Sequence, residues 1–360
     1  MAEITTRLLG PVDLGASELV LRQLGRGQVE AAAGVLPELL RAPNLGLLWQ
    51  RYFPAHDLPQ SLPESCTTPC GLSFQPLWDG LLADQRLSGD ERKKRAEQAL
   101  KTWRGAGAVS WYCSLAREVT NEESHKELLA ALHERRRQAL LGPPIWIEAR
   151  AVTRLLIGQG NAAPLENSGI SLGDLYGFPY LPAASLKGLL RHWLEEEVAY
   201  DVDVALPSPH KEAGREEASR RRAVARLVHQ LLGENEATEN EGSLVFYDGW
   251  PWAEEAAGWL EPEVLTVHHQ GYYSGDTPAS PEGGQPVPVH FVAIRPGTRF
   301  LFALGWRSGA LVGEGDTAPG EALRWATEQL GEVLRHWGLG AKTGSGYGIM
   351  EASVGWPSSS

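Results

Sequence analysis

The order of strand-like and helix-like segments after residue 142 restricts the possible folds more than any other feature of this sequence. Apolar residues alternate with period two in 143–158, as in a strand that covers one side of a core. They recur with helical period in 177–199 and in 316–338. Further strand-like runs are at 243–248, 263–269, 290–306 and 347–354. The order is β-α-β-β-β-α-β, in which 290–306 is interpreted as a hairpin around Pro296-Gly297.

Without one hairpin elaboration this order becomes β-α-β-β-α-β. That is the order of a ferredoxin-like (RRM-like) unit, an antiparallel sheet of four strands with two helices on one face. The sequence therefore predicts an α+β core over 142–360. An acidic insertion around 200–242, which includes GENEATENEG, is predicted as solvated loop. Residues 1–141 are dominated by helical periodicity and predict a helical N-terminal region.

A glycine-rich segment, GLGAKTGSGYG at 338–348, lies between the last predicted helix and the last strand. Such a loop can place backbone N–H groups around anionic oxygens, and its lysine adds a positive charge. In a nucleotide-binding P-loop, however, the glycines follow a strand, and Gly stands where this chain has Ala341. ATP or GTP hydrolysis is therefore not expected. A helix C-cap accounts for Gly338 or Gly340, and the other glycines favour close approach to an RNA backbone.

A second candidate segment, YLPAASLKGLLRHWL at 180–194, begins the first core helix. The sequence predicts an N-cap at or next to Ser185, and Lys187 and Arg191 share one helix face. Free N–H groups, a hydroxyl and two cations at a helix start suit RNA phosphates. The alternative is a capped core helix whose lysine and arginine are ordinary surface charges.

Together the two segments resemble motifs of the CRISPR RAMP superfamily. SLKGLLR resembles the superfamily's helix motif, although Ala184 replaces the more usual Gly or Ser, and GLGAKTGSGYG is similar to its C-terminal glycine-rich loop. Within the superfamily the resemblance is greatest to the sixth subunit of the type III-B (Cmr) effector complex. The resemblance spans most of the chain, including NLGLLWQRYF at 44–53.

The resemblance implies a non-catalytic RNA-binding backbone subunit of that complex, acting in antiviral defence. It implies contacts with the 3′ part of the CRISPR guide RNA, with target RNA and with other Cmr subunits, and no cofactor, metal or membrane. Guide–target base pairing would supply sequence specificity. The residues expected to contact RNA are Ser185, Lys187, Gly188, Arg191, Gly340, Lys342, Thr343, Gly344, Ser345, Gly346, Tyr347 and His268.

A histidine pair, His268-His269, followed by Tyr272-Tyr273, leaves other functions open. Neighbouring strand residues point to opposite faces, so one histidine at most would stack on RNA or act as a base on a 2′-hydroxyl. The alternative function is a RAMP-type metal-independent endoribonuclease that processes CRISPR repeat RNA, with Lys342 as electrostatic stabiliser. A third is a scaffold protein outside CRISPR, in which both motifs only pack.

Charge and cysteine content limit the remaining possibilities. The net charge of −12 means that any nucleic-acid site must be local. Cys66 and Cys70 lack a second Cys/His pair at zinc-site spacing, and Asp248 is expected to be a strand-end turn residue. The basic runs 92–95 and 135–137 are expected to be solvated helix faces. With no signal peptide and no long apolar run, a cytoplasmic protein is expected.

Overall fold

The computed structural model describes the chain from residue 109 onwards, in separate ranges. These are 109–110, 113, 116–117, 123–140, 143–160, 169–173, 176–211, 216–234, 241–252, 258–267, 287–307, 309–310, 312–313 and 315–356. Several predictions therefore lie outside the described residues. They concern Cys66, Cys70, the runs 44–53 and 92–95, His268, His269, Tyr272 and Tyr273.

The described helices and strands follow the predicted order closely. The helices are α1 (Glu123–Ala139), α2 (Ala183–Trp193), α3 (Glu217–Leu232) and α4 (Pro319–His336). The strands are β1 (Ile145–Ala151), β2 (Leu244–Pro251), β3 (Leu260–Val267), β4 (Val287–Ile294), β5 (Arg299–Trp306) and β6 (Met350–Val354). A π-helical turn, Leu194–Val198, continues α2, and a 3-10 turn, Thr343–Ser345, precedes β6.

Four strands form an antiparallel sheet in the order β2-β5-β1-β6. Ile147 of β1 lies opposite Phe302 of β5 and Val354 of β6. Along β1 the side chains of Ile147, Ala149 and Ala151 are buried, which is the alternation expected of a strand with one face on the core. The predicted combination of helices with an antiparallel sheet is confirmed.

The predicted hairpin at 290–306 is wrong, although its turn forms. Gly297 has a φ of 91°, and the N–H of Thr298 donates to the Arg295 carbonyl at 3.3 Å. The strands on the two sides of the turn belong to different sheets. Strand β4, before the turn, pairs with β3 in a two-stranded sheet, whereas β5, after it, is central in the larger sheet. The reason is burial, because every side chain from Phe300 to Leu304 is 0% exposed, the pattern of a central strand covered on both faces.

Helices α2 and α4 pack on the larger sheet and on each other through apolar faces. Leu186 and Leu190 of α2 are fully buried, while Leu189, between them, is only half-buried. The indole N–H of Trp193 donates to Gln329 of α4 at 3.0 Å. This buried hydrogen bond sets α2 against α4.

The prediction that 135–137 is a solvated face is wrong for its middle residue. The Arg136 guanidinium donates to the carbonyls of Leu301 at 3.1 Å and Asp248 at 2.5 Å, where a register shift interrupts the β2–β5 pairing. It also lies 5.6 Å from the Trp146 ring centroid. Arg137 is exposed and pairs with Glu134. Carbonyls that the sheet leaves unused thus explain why a charged residue turns inward.

The acidic insertion is not loop throughout, because 217–232 form α3. Ala223, Val224, Leu227, Val228 and Leu231 are buried at helical spacing, which offsets the polarity of the surrounding sequence. The acidic run itself begins only after α3 ends at Leu232. Mean composition over the insertion therefore hides a sixteen-residue amphipathic segment.

The chain divides into two compact units. One comprises Met1–His125, Gly160–Gly177 and Ala256–Ala293, and its described part includes β3 and most of β4. The other comprises Lys126–Gln159, Phe178–Glu255 and Ile294–Ser360 and contains the four-stranded sheet with α2, α3 and α4. Most of α1 belongs to this second unit. A domain boundary between residues 141 and 142 stays a prediction.

Candidate nucleic-acid interface

The motif helix α2 starts earlier than predicted, and Ser185 is not its N-cap. Pro182 occupies the N-cap position and offers no side-chain hydrogen bond. The free N–H of Ala183 instead donates to the Asp248 carboxylate at 2.7 Å. Asp248 lies inside β2, not at a strand end as predicted, because the strand continues to Pro251. A carboxylate at the positive end of a helix satisfies the first turn, so the Ser185 hydroxyl is not needed as a cap.

Arg191 is engaged within the protein. Its guanidinium donates to the carbonyls of Leu232 at 3.0 Å and Gly233 at 2.7 Å, the last carbonyls of α3. It also pairs with Glu195 at 3.3 Å, and its side chain is only 16% exposed. A cation at a helix C-terminus is stabilising, so Arg191 caps α3 and fixes it to α2.

Lys187, one turn earlier, is engaged much less. Among the residues that the structure describes, its half-buried side chain makes no hydrogen bond or ion pair. Burial lowers the pKa of Lys187, and the neighbouring cations Arg191 and Arg307 lower it further. Gly188 follows, and a Cβ built there would meet nothing within 4 Å. Packing therefore does not explain a glycine that is unfavourable in a helix.

The base of the glycine-rich loop is tightly packed. The Ala341 N–H donates to the Leu156 carbonyl at 2.8 Å, and the Gly348 N–H donates to the Arg154 carbonyl at 2.7 Å. A Cβ would lie 2.2 Å from the Leu156 oxygen at Gly340 and 2.1 Å from the Leu339 oxygen at Gly348. The protein's own backbone thus requires these glycines, including Gly348, which the C-cap alone did not explain.

The tip of the loop, residues 342–346, has a different character. Among the described residues, Lys342 is the one non-glycine residue whose backbone is left-handed, with a φ of 59°. Gly346 has a φ of 86°. Gly344, Ser345 and Gly346 are exposed. The N–H groups of Lys342, Thr343 and Gly344 have no acceptor among the described residues. No contact or positive φ accounts for the glycine at 344.

Helix α2 and the loop meet at the end of α4. Trp337, directly before the loop, lies edge-on to His192 at 5.1 Å and to Trp193 at 5.2 Å between ring centroids. The two motifs are thus connected through packed aromatic rings.

Arg307 is a basic residue of this region that the sequence motifs do not include. It directly follows β5, is exposed, and pairs with Glu241. Its charge acts on Lys187, which is far away along the chain. A local pattern cannot reveal such a neighbour, because the fold alone brings the end of β5 to α2.

The residues that the structure describes hold neither a metal-ligand cluster nor a membrane-spanning helix. No group of three or more His, Cys, Asp and Glu side chains there is arranged to hold a metal ion. No described helix is both long and apolar enough to cross a membrane.

Comparisons with known proteins place this geometry in context. The RAMP superfamily model matches residues 148–351, more than half of the chain. The CRISPR system Cmr subunit Cmr6 of Pyrococcus furiosus is 28% identical over 230 residues, 54% of this chain and 64% of that protein. Cmr6 of Saccharolobus solfataricus is 24% identical over 203 residues, 56% and 55% of the two chains. The chain therefore spans less than two thirds of either relative.

Among solved structures, a chain of the type III-B Cmr-beta complex bound to cognate target RNA, determined by cryo-electron microscopy, has a similar fold. The TM-score is 0.51 at 20% sequence identity, with 80% of this chain and 85% of that chain covered. At this identity the likeness shows a shared fold.

Proposed function

The chain belongs to the RAMP superfamily, and from this membership we propose that it is a non-catalytic RNA-binding backbone subunit of a type III-B CRISPR (Cmr) effector complex. It contacts the 3′ part of the guide RNA, the target RNA and neighbouring Cmr subunits, and acts in the cytoplasm in antiviral defence. The Cmr6 relatives and the fold shared with a chain of the RNA-bound complex support this proposal.

In the same proposal, the four-stranded sheet with α2 and α4 is a ferredoxin-like core. The sheet order β2-β5-β1-β6 and the succession β1-α2-β2-β5-α4-β6 support it. Strands β3 and β4 are then the elaboration between β2 and β5. In this arrangement α2 is the first core helix after strand β1, and the glycine loop directly precedes the last core strand, β6.

One observation carries the proposal, namely the tip of the glycine loop. Three successive N–H groups, those of Lys342, Thr343 and Gly344, have no acceptor among the described residues. Gly344 leaves open space where a side chain would stand. Adjacent N–H donors beside a lysine and without obstructing side chains suit the oxygens of an RNA phosphate.

The motif helix supplies the second phosphate contact in this proposal. Lys187 offers a charge that no described carboxylate neutralises directly, and Gly188 lets a sugar–phosphate backbone approach the helix. Arg191 acts as a positioning residue, because its guanidinium already binds the end of α3. Contacts from Ser185, Gly340, Ser345, Gly346, Tyr347 and His268 remain predictions.

The test places a negative charge at the loop tip. Full-length Gly344→Asp should keep its stability and bind a fluorescently labelled single-stranded RNA at least about tenfold more weakly, because a carboxylate opposes phosphate within the Debye length. Gly320→Asp is the matched control, since it makes the same change in the first turn of α4, at the opposite end of the helix from the loop. Equal affinities for the two variants would contradict the proposal.

Incubation with labelled CRISPR repeat RNA, without metal, tests the non-catalytic part. We expect the RNA to stay intact. Defined cleavage that His268→Ala or His269→Ala abolishes would replace the binding role with the endoribonuclease alternative.

A further inference from the structure

Two arginines hold the two ends of the acidic run at 233–242. Arg191 donates to the Gly233 carbonyl at 2.7 Å, and the Arg307 Nε donates to the Gly242 carbonyl at 3.2 Å. The Arg307 guanidinium also pairs with the Glu241 carboxylate. An antiparallel bridge joins Gly233 to Glu241. The acidic run therefore starts beside Arg191 of α2 and ends beside Arg307, which follows β5.

This stem has a defined backbone. The Ser243 N–H donates to the Gln230 carbonyl at 2.9 Å. A Cβ at Gly242 would lie 2.4 Å from the Leu232 carbonyl carbon, so the backbone at Gly242 packs directly on the end of α3. The Glu241 side chain, in contrast, is 72% exposed. The backbone of Glu241 is thus held in place beside Arg307, while its carboxylate stays in contact with water.

We propose that Arg307 is a further RNA phosphate-binding residue, and that Glu241 is an internal carboxylate which occupies Arg307 in the free protein and is displaced by an RNA phosphate. This inference rests on the proposed RNA-binding function and names one more contact of that surface. Arg307 contacts the Glu241 carboxylate through one guanidinium nitrogen, while its Nε holds the Gly242 carbonyl. A phosphate oxygen can therefore replace the carboxylate at that nitrogen without breaking the contact that positions Arg307.

The charges around Lys187 support this exchange. Burial lowers the pKa of Lys187, the charges of Arg191 and Arg307 lower it further, and Glu241 raises it, so Arg307 and its carboxylate partner both act on Lys187. A phosphate beside Lys187 and Arg307 would reduce the repulsion between them. An exposed ion pair contributes little to stability, so its loss on binding costs little.

The experiment compares Glu241→Gln with Arg307→Gln in the full chain, by fluorescence anisotropy with a labelled single-stranded RNA over a series of salt concentrations. Glutamine keeps the shape of Glu241 but removes the competing charge, so Glu241→Gln should bind up to about fivefold more tightly. Arg307→Gln should bind more weakly, and its salt dependence should fall by about 0.7 in log–log slope, one single-strand phosphate contact.

Glu134→Gln is the matched control, because Glu134 forms an ion pair with Arg137 on α1 and not with Arg307 or a cation of α2. Its RNA affinity should equal that of the unaltered protein. If Glu241→Gln leaves affinity unchanged or lowers it, the displacement idea is wrong. The proposed function itself fails by a different result, in which Lys187→Gln and Lys342→Gln also leave RNA affinity unchanged.

Discussion

The buried face of α1 and the surface around the glycine loop both contain the basic and aromatic residues that RNA recognition requires. On the buried face of α1, Arg136 donates to two sheet carbonyls, and the centroid of the His133 ring lies 5.0 Å from that of the Trp252 ring. Around the loop, the side chains of Lys187 and Lys342 make no hydrogen bond or ion pair among the described residues. Residue types alone do not identify an RNA surface. The decisive property is whether buried contacts of the fold have already used the donors.

The glycine loop contains the same contrast within a few residues, since its base is used by the fold and its tip is not. At Gly348 the φ is 80° and a Cβ would lie 2.1 Å from the Leu339 oxygen. Left-handed strain and overpacking therefore act together, and Gly348→Ala should lower the free energy of unfolding by about 2 to 5 kcal/mol. Urea denaturation followed by tryptophan fluorescence measures this loss.

Gly344→Ala is the control, because a Cβ at Gly344 meets nothing and no positive φ strains it. Its unfolding free energy should change by less than about 0.5 kcal/mol. Equal losses at Gly348 and Gly344 would show that base and tip are not different, and would remove the argument for an unused tip.

Much of the fold could be predicted from the sequence because its elements have strong periodicity. The segments at 143–158, 243–248 and 316–338 contain β1, most of β2 and α4. One error has a plain physical cause, because the hydrophobic pattern of a strand reports its burial but not the strands with which it pairs. Neighbouring strand-like runs in 290–306 suggested a hairpin, and only the complete burial of Phe300–Leu304 shows that β5 lies between other strands.

The candidate site could be predicted in part for the same reason. The sequence indicated Lys187 and the glycine loop, but it could not separate Lys187 from Arg191, since both lie on the same helix face. The partner of Arg191, the end of α3, lies in a segment predicted as loop. Arg307 and the inward-facing Arg136 depend on tertiary contacts that no local spacing reveals.

The stability of the buried face of α1 should also respond to pH. The pKa of His133 is lowered to about 4, chiefly by burial and in smaller part by the charge of Arg136, while a hydrogen bond to the Pro251 carbonyl opposes the shift. Between pH 6.5 and about 4 the unfolded chain binds a proton there and the folded chain does not. Stability should therefore fall by about 3 kcal/mol as pH decreases through this window, and stay unaffected by this group above it.

Urea denaturation at a series of pH values measures that loss. His133→Gln keeps a donor for the Pro251 carbonyl, which His133 contacts at 2.8 Å, but cannot be protonated in this range. Its stability should depend less on pH by about the same 3 kcal/mol. An unchanged pH dependence in His133→Gln would show that another group, such as the buried His210, whose pKa is also lowered, causes the effect.

The smallest expected effect concerns the two cations of α2, where the contrast between used and unused donors is narrowest. Arg191 donates from one nitrogen to the carbonyls of Leu232 and Gly233 and from the other to Glu195, and a lysine cannot reproduce this fork. Arg191→Lys should therefore lower the unfolding free energy by about 1 to 2 kcal/mol. Lys187→Arg keeps the charge and breaks no described contact, so its stability should change by less than about 0.5 kcal/mol.

For RNA binding the order of the two residues should be reversed, with Lys187 more important than Arg191. Removal of the charge in Lys187→Gln should reduce the log–log salt slope of RNA binding by about 0.7, while Lys187→Arg keeps the slope. Arg191→Lys also keeps its charge and, as a positioning residue, should keep the slope. If Arg191→Lys instead left stability unchanged and weakened RNA binding, Arg191 would release α3 to contact RNA directly, and the division between used and unused donors on α2 would be wrong.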